Sequence, residues 1–228
     1  MTTSESTALH YEQHDPDVRL MLEVRDDKAT AFEELMLRYQ NRLVTILEHL
    51  VGRRDLAEDL AQEVFLRVYR ARKRYVPGSK FSTWLFTIAN NVASNSLRSQ
   101  SRRREVNWKA RAGESTGANT LDQMAQAASS LMPSRQADKS EMRTIVREAI
   151  NTLNERQRMA VLLSKFESMS YEDIAETMQM SPQAIKSLLS RARGNLRAVL
   201  EPYLERGELK KMKSDELDSP EAIGPNQK

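Results

Sequence analysis

The chain has 228 residues and no cysteine. Disulfides, thiolate zinc sites, iron–sulfur clusters and cysteine nucleophiles are therefore excluded together. There are 3 histidines, and His10 and His14 lie in a polar N-terminal stretch, so a histidine-based metal site is not expected. With 7 Gly and 7 Pro, the chain has too few turn residues for a β-sandwich. No apolar run approaches the roughly 18 residues of a membrane-spanning helix. The first 17 residues lack the basic-then-apolar layout of a secretory signal. The expectation is a cytoplasmic protein without membrane insertion. A Gly-rich phosphate loop, paired metal ligands and a nucleophile–base constellation are also missing, so no catalytic residue, metal or cofactor is expected.

What is present is helix-forming. Leu, Ala, Glu, Arg and Gln are abundant and there are 11 Met. The 35 basic residues nearly cancel 32 acidic ones, leaving +3, so distribution matters more than the sum. Phe32, Leu35, Met36, Tyr39, Leu43, Ile46, Leu47 and Leu50 recur at three- and four-residue steps, one buried helical stripe. Gly52 breaks it. Asp55 with Glu58 reads as a capping box opening a second helix through Leu56, Leu60, Val64, Phe65, Val68 and Tyr69. Pro77-Gly78 signals a turn, and a third helix follows from about Ser82 through Trp84 to Leu97.

After Arg98 the apolar period stops. The segment to Ser140 reads as a flexible linker, with a transient helix at 121–128. A second helical block follows. Asn154 with Gln157 and Ser170 with Asp173 read as capping boxes, and Ser181-Pro182 as a cap with Pro at the first helical position. The expected fold is all-α: a disordered N-terminus (1–16), a helical domain (17–105), a linker (106–140), a second helical domain (141–206) and a polar tail (207–228).

The most specific pattern spans 171–193. Two helices packed steeply through a three-residue turn need a small residue at the contact and apolar residues around it. Ala175 is the small residue, and Ile174, Met178, Met180 and Ile185 surround it. Gln179 stands where a turn glycine is common, so the turn either avoids a strongly positive φ or tolerates strain. The alternative is an ordinary helical hairpin. In a helix-turn-helix the second helix enters the major groove with Gln183, Ala184, Lys186, Ser187, Ser190 and Arg191 outward. Arg193 and Arg197 lie further along, suited to phosphates.

The N-terminal block is less explicit. Phe81, Trp84 and Phe86 are surrounded by Arg67, Arg70, Arg72, Lys73, Arg74 and Lys80. Aromatics among basic residues suit single-stranded nucleic acid, and they equally suit a core beneath a solvated face.

The order of motifs carries a family resemblance. DLAEDLAQEVFLRVY at 55–69 resembles region 2.2 of bacterial sigma factors, and KFSTWLFTIANN at 80–91 resembles regions 2.3 and 2.4. LNERQR at 153–158 and the stretch 170–193 look like region 4. No room remains for a middle domain, so the chain resembles the extracytoplasmic-function (ECF) subfamily over about 17–204.

The resemblance implies a role for each matching position. Asp59, Leu60, Gln62, Glu63 and Phe65 would dock core RNA polymerase at its β′ clamp coiled coil, where carboxylates suit a basic surface. The 75–80 loop, with Lys80, would help hold a base flipped from the −10 element. Phe81, Trp84 and Phe86 would serve melting, Asn91 and Asn95 would face promoter DNA, and Arg98, Arg102, Arg103 and Arg104 would hold phosphates. The helix from Pro182 would read the −35 element while its domain sits on the β flap. A cognate anti-sigma factor is a common further partner in the family.

Two positions depart from the family pattern. Asn154 stands where Pro is frequent, and Leu188 where Arg is frequent; Leu188 either packs or leaves a base contact missing. Two competing readings are a one-component regulator using the helix-turn-helix alone, which leaves 55–69 and 80–91 unexplained, and a helical enzyme, which lacks a reactive constellation.

Overall fold

In the computed structural model, backbone is described for residues 3–112 and 135–205, and side chains for 7–103 and 142–203. Every regular element among the described residues is helical. The N-terminal set is α1 (Thr3–His14), α2 (Pro16–Arg25), α3 (Ala29–Val51), α4 (Arg54–Ala71), a 3-10 turn (Arg72–Arg74) and α5 (Phe81–Ala112). The C-terminal set is α6 (Arg135–Asn151), α7 (Glu155–Phe166), α8 (Tyr171–Met178) and α9 (Pro182–Glu205).

The predicted stripe on α3 is the spine of the first unit. Leu35, Leu43, Ile46 and Leu47 are almost fully buried there, against Val64 and Val68 of α4 and Leu85 and Phe86 of α5. α3 stops at Gly52, whose φ of 77° is left-handed and suits a residue without Cβ. In the second unit Leu162 and Leu163 of α7 pack with Ile174 of α8 and Ile185 of α9. Each such side chain contributes about 1.5–3 kcal/mol by leaving water.

Three predicted caps are present. Asn154 and Gln157 form a reciprocal box at α7, and Ser170 and Asp173 form another at α8. Ser181 Oγ accepts from Ala184 N at 3.2 Å at the start of α9. Gln179 takes the left-handed conformation, φ 54° and ψ 48°, so the turn accepts strain.

Four expectations are corrected. The α4 capping box does not form: Arg53 occupies the cap without a side-chain bond, and the Asp55 carboxylate pairs with the Arg53 guanidinium. There Asp55 still faces the positive end of the helix dipole. The N-terminal stretch expected to be disordered is α1. It leads into Asp15, which accepts from Asp17 N at 2.9 Å to open α2 and from Phe81 N at 2.9 Å to open α5. α5 runs past both Leu97 and residue 105, because Arg, Ser and Gln there lack an apolar period but include no helix breaker. α6 likewise begins at Arg135, inside the expected linker. The 121–128 helix and the tail from 207 lie outside the described residues.

The two units touch. Their buried apolar residues form one continuous cluster, with α3 against α7 and α5 against α8. The Arg158 guanidinium lies between them and donates to five carbonyls: Ile150 and Asn151 at the end of α6, Leu153 in the turn that follows, and His49 and Leu50 at the end of α3. Last-turn carbonyls lack helical partners, and a cation suits both helix ends.

Candidate nucleic-acid and protein interfaces

α8 and α9 pack together through the short turn at 179–181, as the sequence suggests. Ala175 is 4% exposed, Ile174 and Ile185 are buried, and Met178 and Met180 pack against the cluster as partly buried residues. Leu188 packs partly against the core, which favours the packing role for this position. The opposite face of α9 carries Gln183, Lys186, Ser190, Arg191 and Arg193, all exposed, with Ala184 and Ser187 half-buried. Ser187 Oγ donates back to the Gln183 carbonyl at 3.1 Å. The result is a rigid helix with polar and cationic tips outward, able to enter a major groove.

α5 is built differently. Phe81, Leu85, Phe86, Ala89, Val92 and Ala93 form its buried stripe. Phe81 and Phe86 are each 0% exposed, which corrects their expected contact with DNA: no face of either ring is open to a base. Phe81 meets Tyr39 edge-on at 5.3 Å, so these rings brace the helix start. Trp84 lies on the neighbouring stripe, half-buried, 4.8 Å from the Tyr75 ring and 6.0 Å from the Phe81 ring. Tyr75, in the 75–80 loop, is 4% exposed, and its hydroxyl has no hydrogen-bond partner among the described residues. Burial pushes its pKa well up, so the phenol stays neutral.

Asn91, Asn95 and Arg98 continue the Trp84 stripe at exposed positions and line a cleft of about 480 Å³. Its other wall is Glu155, Arg156 and the helix-turn-helix turn, Met178, Gln179 and Met180. Lys80 is exposed, and its Nζ donates to Asp173 Oδ2 at 2.8 Å. Burial pushes the Asp173 carboxyl up, but hydrogen bonds from Lys80 and Ser170 outweigh it and hold the pKa below its ordinary 3.8.

Not all of the basic cluster is free for a ligand. Arg72 packs over the Tyr69 ring, 3.9 Å from its centroid, and its Nε donates to Asp27. Lys73 also pairs with Asp27, next to the end of α2. These two tie the 3-10 turn after α4 to the end of α2.

On α4, Asp59 and Gln62 are exposed, Leu60 is partly buried, and Glu63 is half-buried and accepts from Arg67 Nε at 2.8 Å. Phe65 is 8% exposed. With Gln62 it lines a groove of about 720 Å³ between α3 and α4, joined by Phe32, Met36, Leu66 and Tyr69. Leu66 and Tyr69 are 47% and 42% exposed, a partly open apolar surface beside the polar positions. The predicted α4 residues therefore do not share one face: Asp59 and Gln62 are outward, and Phe65 forms the groove floor.

Sequence reasoning missed Arg42, Arg158 and Glu167. The Glu167 side chain is 1% exposed, and its carboxylate receives the Arg42 guanidinium through two hydrogen bonds. Burial raises its pKa, opposed by Arg42. Nothing near in sequence links these positions, which lie 125 residues apart. Among the described residues no three His, Asp or Glu side chains gather as metal ligands, and no helix is long and apolar enough to cross a membrane.

A helical unit with an aromatic-loop face, followed by a helix-turn-helix, defines a class of DNA-directed transcription proteins, and comparison with known proteins agrees. Residues 35–103 match the family Sigma-70 region 2, and residues 143–196 match Sigma-70, region 4. The chain is 33% identical over 190 residues to the RNA polymerase sigma-H factor of Pseudomonas aeruginosa, covering 82% of this chain and 95% of that one. It is 33% identical over 191 residues to the ECF RNA polymerase sigma-E factor of Haemophilus influenzae, covering 82% and 97%. It is 36% identical over 177 residues to the RNA polymerase sigma factor CarQ of Myxococcus xanthus, covering 77% and 92%. The fold is similar to that of CnrH in complex with the cytosolic domain of CnrY, with TM-score 0.59, 20% identity and coverage of 82% and 99%. It is also similar to the sigma factor RpoE in complex with the anti-sigma factor NepR from Bartonella quintana, with TM-score 0.53, 26% identity and coverage of 75% and 96%. The chain belongs to the ECF family of RNA polymerase sigma factors, which act in transcription initiation.

Proposed function

We propose that this chain binds core RNA polymerase, recognises promoter −10 and −35 elements and promotes melting at the first of them. The observation that carries the reading is the outward face of α9, where Gln183, Lys186, Ser190, Arg191 and Arg193 are exposed together on a helix fixed by its capped partner α8. Gln and Lys reach base edges and the arginines neutralise phosphate. Trp84, Asn91, Asn95, Arg98 and Lys80 are the −10 contacts, with Trp84 offering the stacking surface beside the 75–80 loop. Extruding a base costs a few kcal/mol, which a stacking partner and a pocket offset.

The α4 face supplies the polymerase contact. Asp59, Gln62 and Glu63 suit a basic helical surface, and the groove floored by Phe65 takes apolar side chains of the β′ clamp. The second unit sits on the β flap. The chain itself catalyses no reaction in this reading. An anti-sigma factor is a further partner, supported by the anti-sigma factor NepR bound to RpoE.

Run-off transcription with purified core polymerase tests this, on a promoter mapped by transcription-start sequencing after overexpression. The expected result is a start-specific transcript and co-purification with core. Failure of both overturns the reading. A one-component regulator would instead be a dimer on a symmetric operator.

A further inference from the structure

α1 lies outside residues 35–103, the stretch that matches Sigma-70 region 2, and no residue of it has a part in the site described above. Its last turns have two unlike faces. At about 100° per residue, His10, Tyr11 and His14 fall within about 100° of arc, and Glu12 falls on the other side of the helix. The rings on the first face touch. His10 lies edge-on to Tyr11 at 5.5 Å and stacks on His14 at 4.5 Å. His14 Nδ1 donates to the His10 carbonyl at 2.8 Å, which holds the pair together. His10 and His14 are exposed, while Tyr11 is half-buried and packs against the core.

The end of α1 is fixed to the start of α5. Asp15 accepts from Phe81 N through one carboxylate oxygen and from Asp17 N through the other, each at 2.9 Å. Asp15 N donates to the Tyr11 carbonyl at 2.9 Å, so Tyr11 stands one turn before that tie. Phe81 follows Lys80 directly and precedes Trp84 by one turn. The Lys80 pKa is raised first by its hydrogen bond to Asp173 and further by the Tyr11 phenol and the Asp15 carboxylate, which places Tyr11 close to Lys80. A helix that only braced α5 would be served by Tyr11 and Asp15. His10 and His14 add exposed ring area on the same arc. Ring faces beside a cation are what a single strand uses, because every base has a π-face and every nucleotide a phosphate.

We propose that α1 extends the −10 site, with the rings of Tyr11 and His10 stacking on a non-template base next to the one held at Trp84, and Lys80 taking the phosphate between them. The inference rests on the −10 role proposed above. The strand passes from α5 to α1 across the Asp15–Phe81 tie.

The test is the affinity of the full chain, saturated with core polymerase, for a −10 non-template oligonucleotide cut from a mapped promoter. His10→Leu/Tyr11→Leu removes both rings and keeps apolar volume. It is expected to weaken binding at least about fivefold, the lower end of one stacked base. Tyr11→Phe is expected to keep wild-type affinity, and a −35 duplex to bind all variants equally. His10→Leu alone changes an exposed position, so a loss there is not a loss of fold. Trp84→Ala separates the two readings. If it weakens the strand while the double variant binds as wild type does, the α1 role is overturned and the −10 role of α5 stands. If neither changes binding, both roles fall.

A fluorescent adenine analogue in the oligonucleotide, quenched when a ring stacks on it, gives a signature that a bracing role does not move. At the base beside the one where Trp84→Ala relieves quenching, His10→Leu/Tyr11→Leu is expected to relieve it and Tyr11→Phe to keep it. Quenching that survives the double variant at every position overturns the proposal.

Discussion

α5 and α9 are the two faces proposed to meet promoter DNA, and they are built in opposite ways. On α9 the chemistry is at the tips: Gln183, Lys186, Ser190, Arg191 and Arg193 stand in solvent on a helix whose inner face is packed. On α5 it is recessed. Trp84 is half-buried between Tyr75 and Phe81, and Lys80 and Thr83 are held by Asp173. On the proposed roles, the difference follows from the target. Duplex DNA presents its groove edges ready-made, so a rigid exposed helix suffices. A base in a duplex has to be extracted, so its receptor needs an aromatic surface and a pocket, which would be an apolar liability if left open.

The comparison breaks most sharply at Phe86. As a core residue, Phe86→Ala should cost about 3–5 kcal/mol of stability, read as a lower urea midpoint at unchanged m-value, with both faces weakened together. Trp84→Ala should act on one face only. Open-complex formation should weaken by the roughly 1–3 kcal/mol of a stacked base, with closed-complex binding nearly unchanged; equal losses would assign Trp84 to the core. On the other face, Lys186→Ala should reduce discrimination at the −35 element by up to about 1–3 kcal/mol. A uniform loss across sequences with a shallower salt slope would make it a phosphate contact instead.

The smallest effect concerns the Asp173 contact with α5. The Asp173 carboxyl is held below its ordinary 3.8. Its bonds therefore stabilise the folded chain at neutral pH and are lost as pH falls through the lowered value. The urea midpoints of wild type and Asp173→Asn should differ at pH 6, by an amount equivalent to about 1 kcal/mol or less, and the difference should shrink as pH falls below 3.8.

Which parts of this were legible in the sequence depended on range. The boxes at Asn154 and Ser170 are local signals three residues wide, and both form. Asp55 carried the same signal and failed, because α3 ends at Gly52 and the extended Arg53 already occupies the cap position. The division of α5 aromatics was readable in principle. Positions 81, 85, 89 and 92 are one helical stripe, while 84, 88, 91 and 95 are the next, so the 3.6 period separates Phe81 from Trp84. Grouping the aromatics by composition hid that. Arg42–Glu167 and Lys80–Asp173 were not readable at all, since they join residues 125 and 93 positions apart through the packing of two units.

The most direct measurement is the affinity of the free chain for two fluorescent probes cut from a mapped promoter, a −35 duplex and a −10 non-template strand, each repeated with core polymerase. The account predicts salt-dependent binding of the duplex by the free chain, and strong binding of the single strand only with core. A free chain that binds the −10 strand as tightly as the holoenzyme does would contradict it.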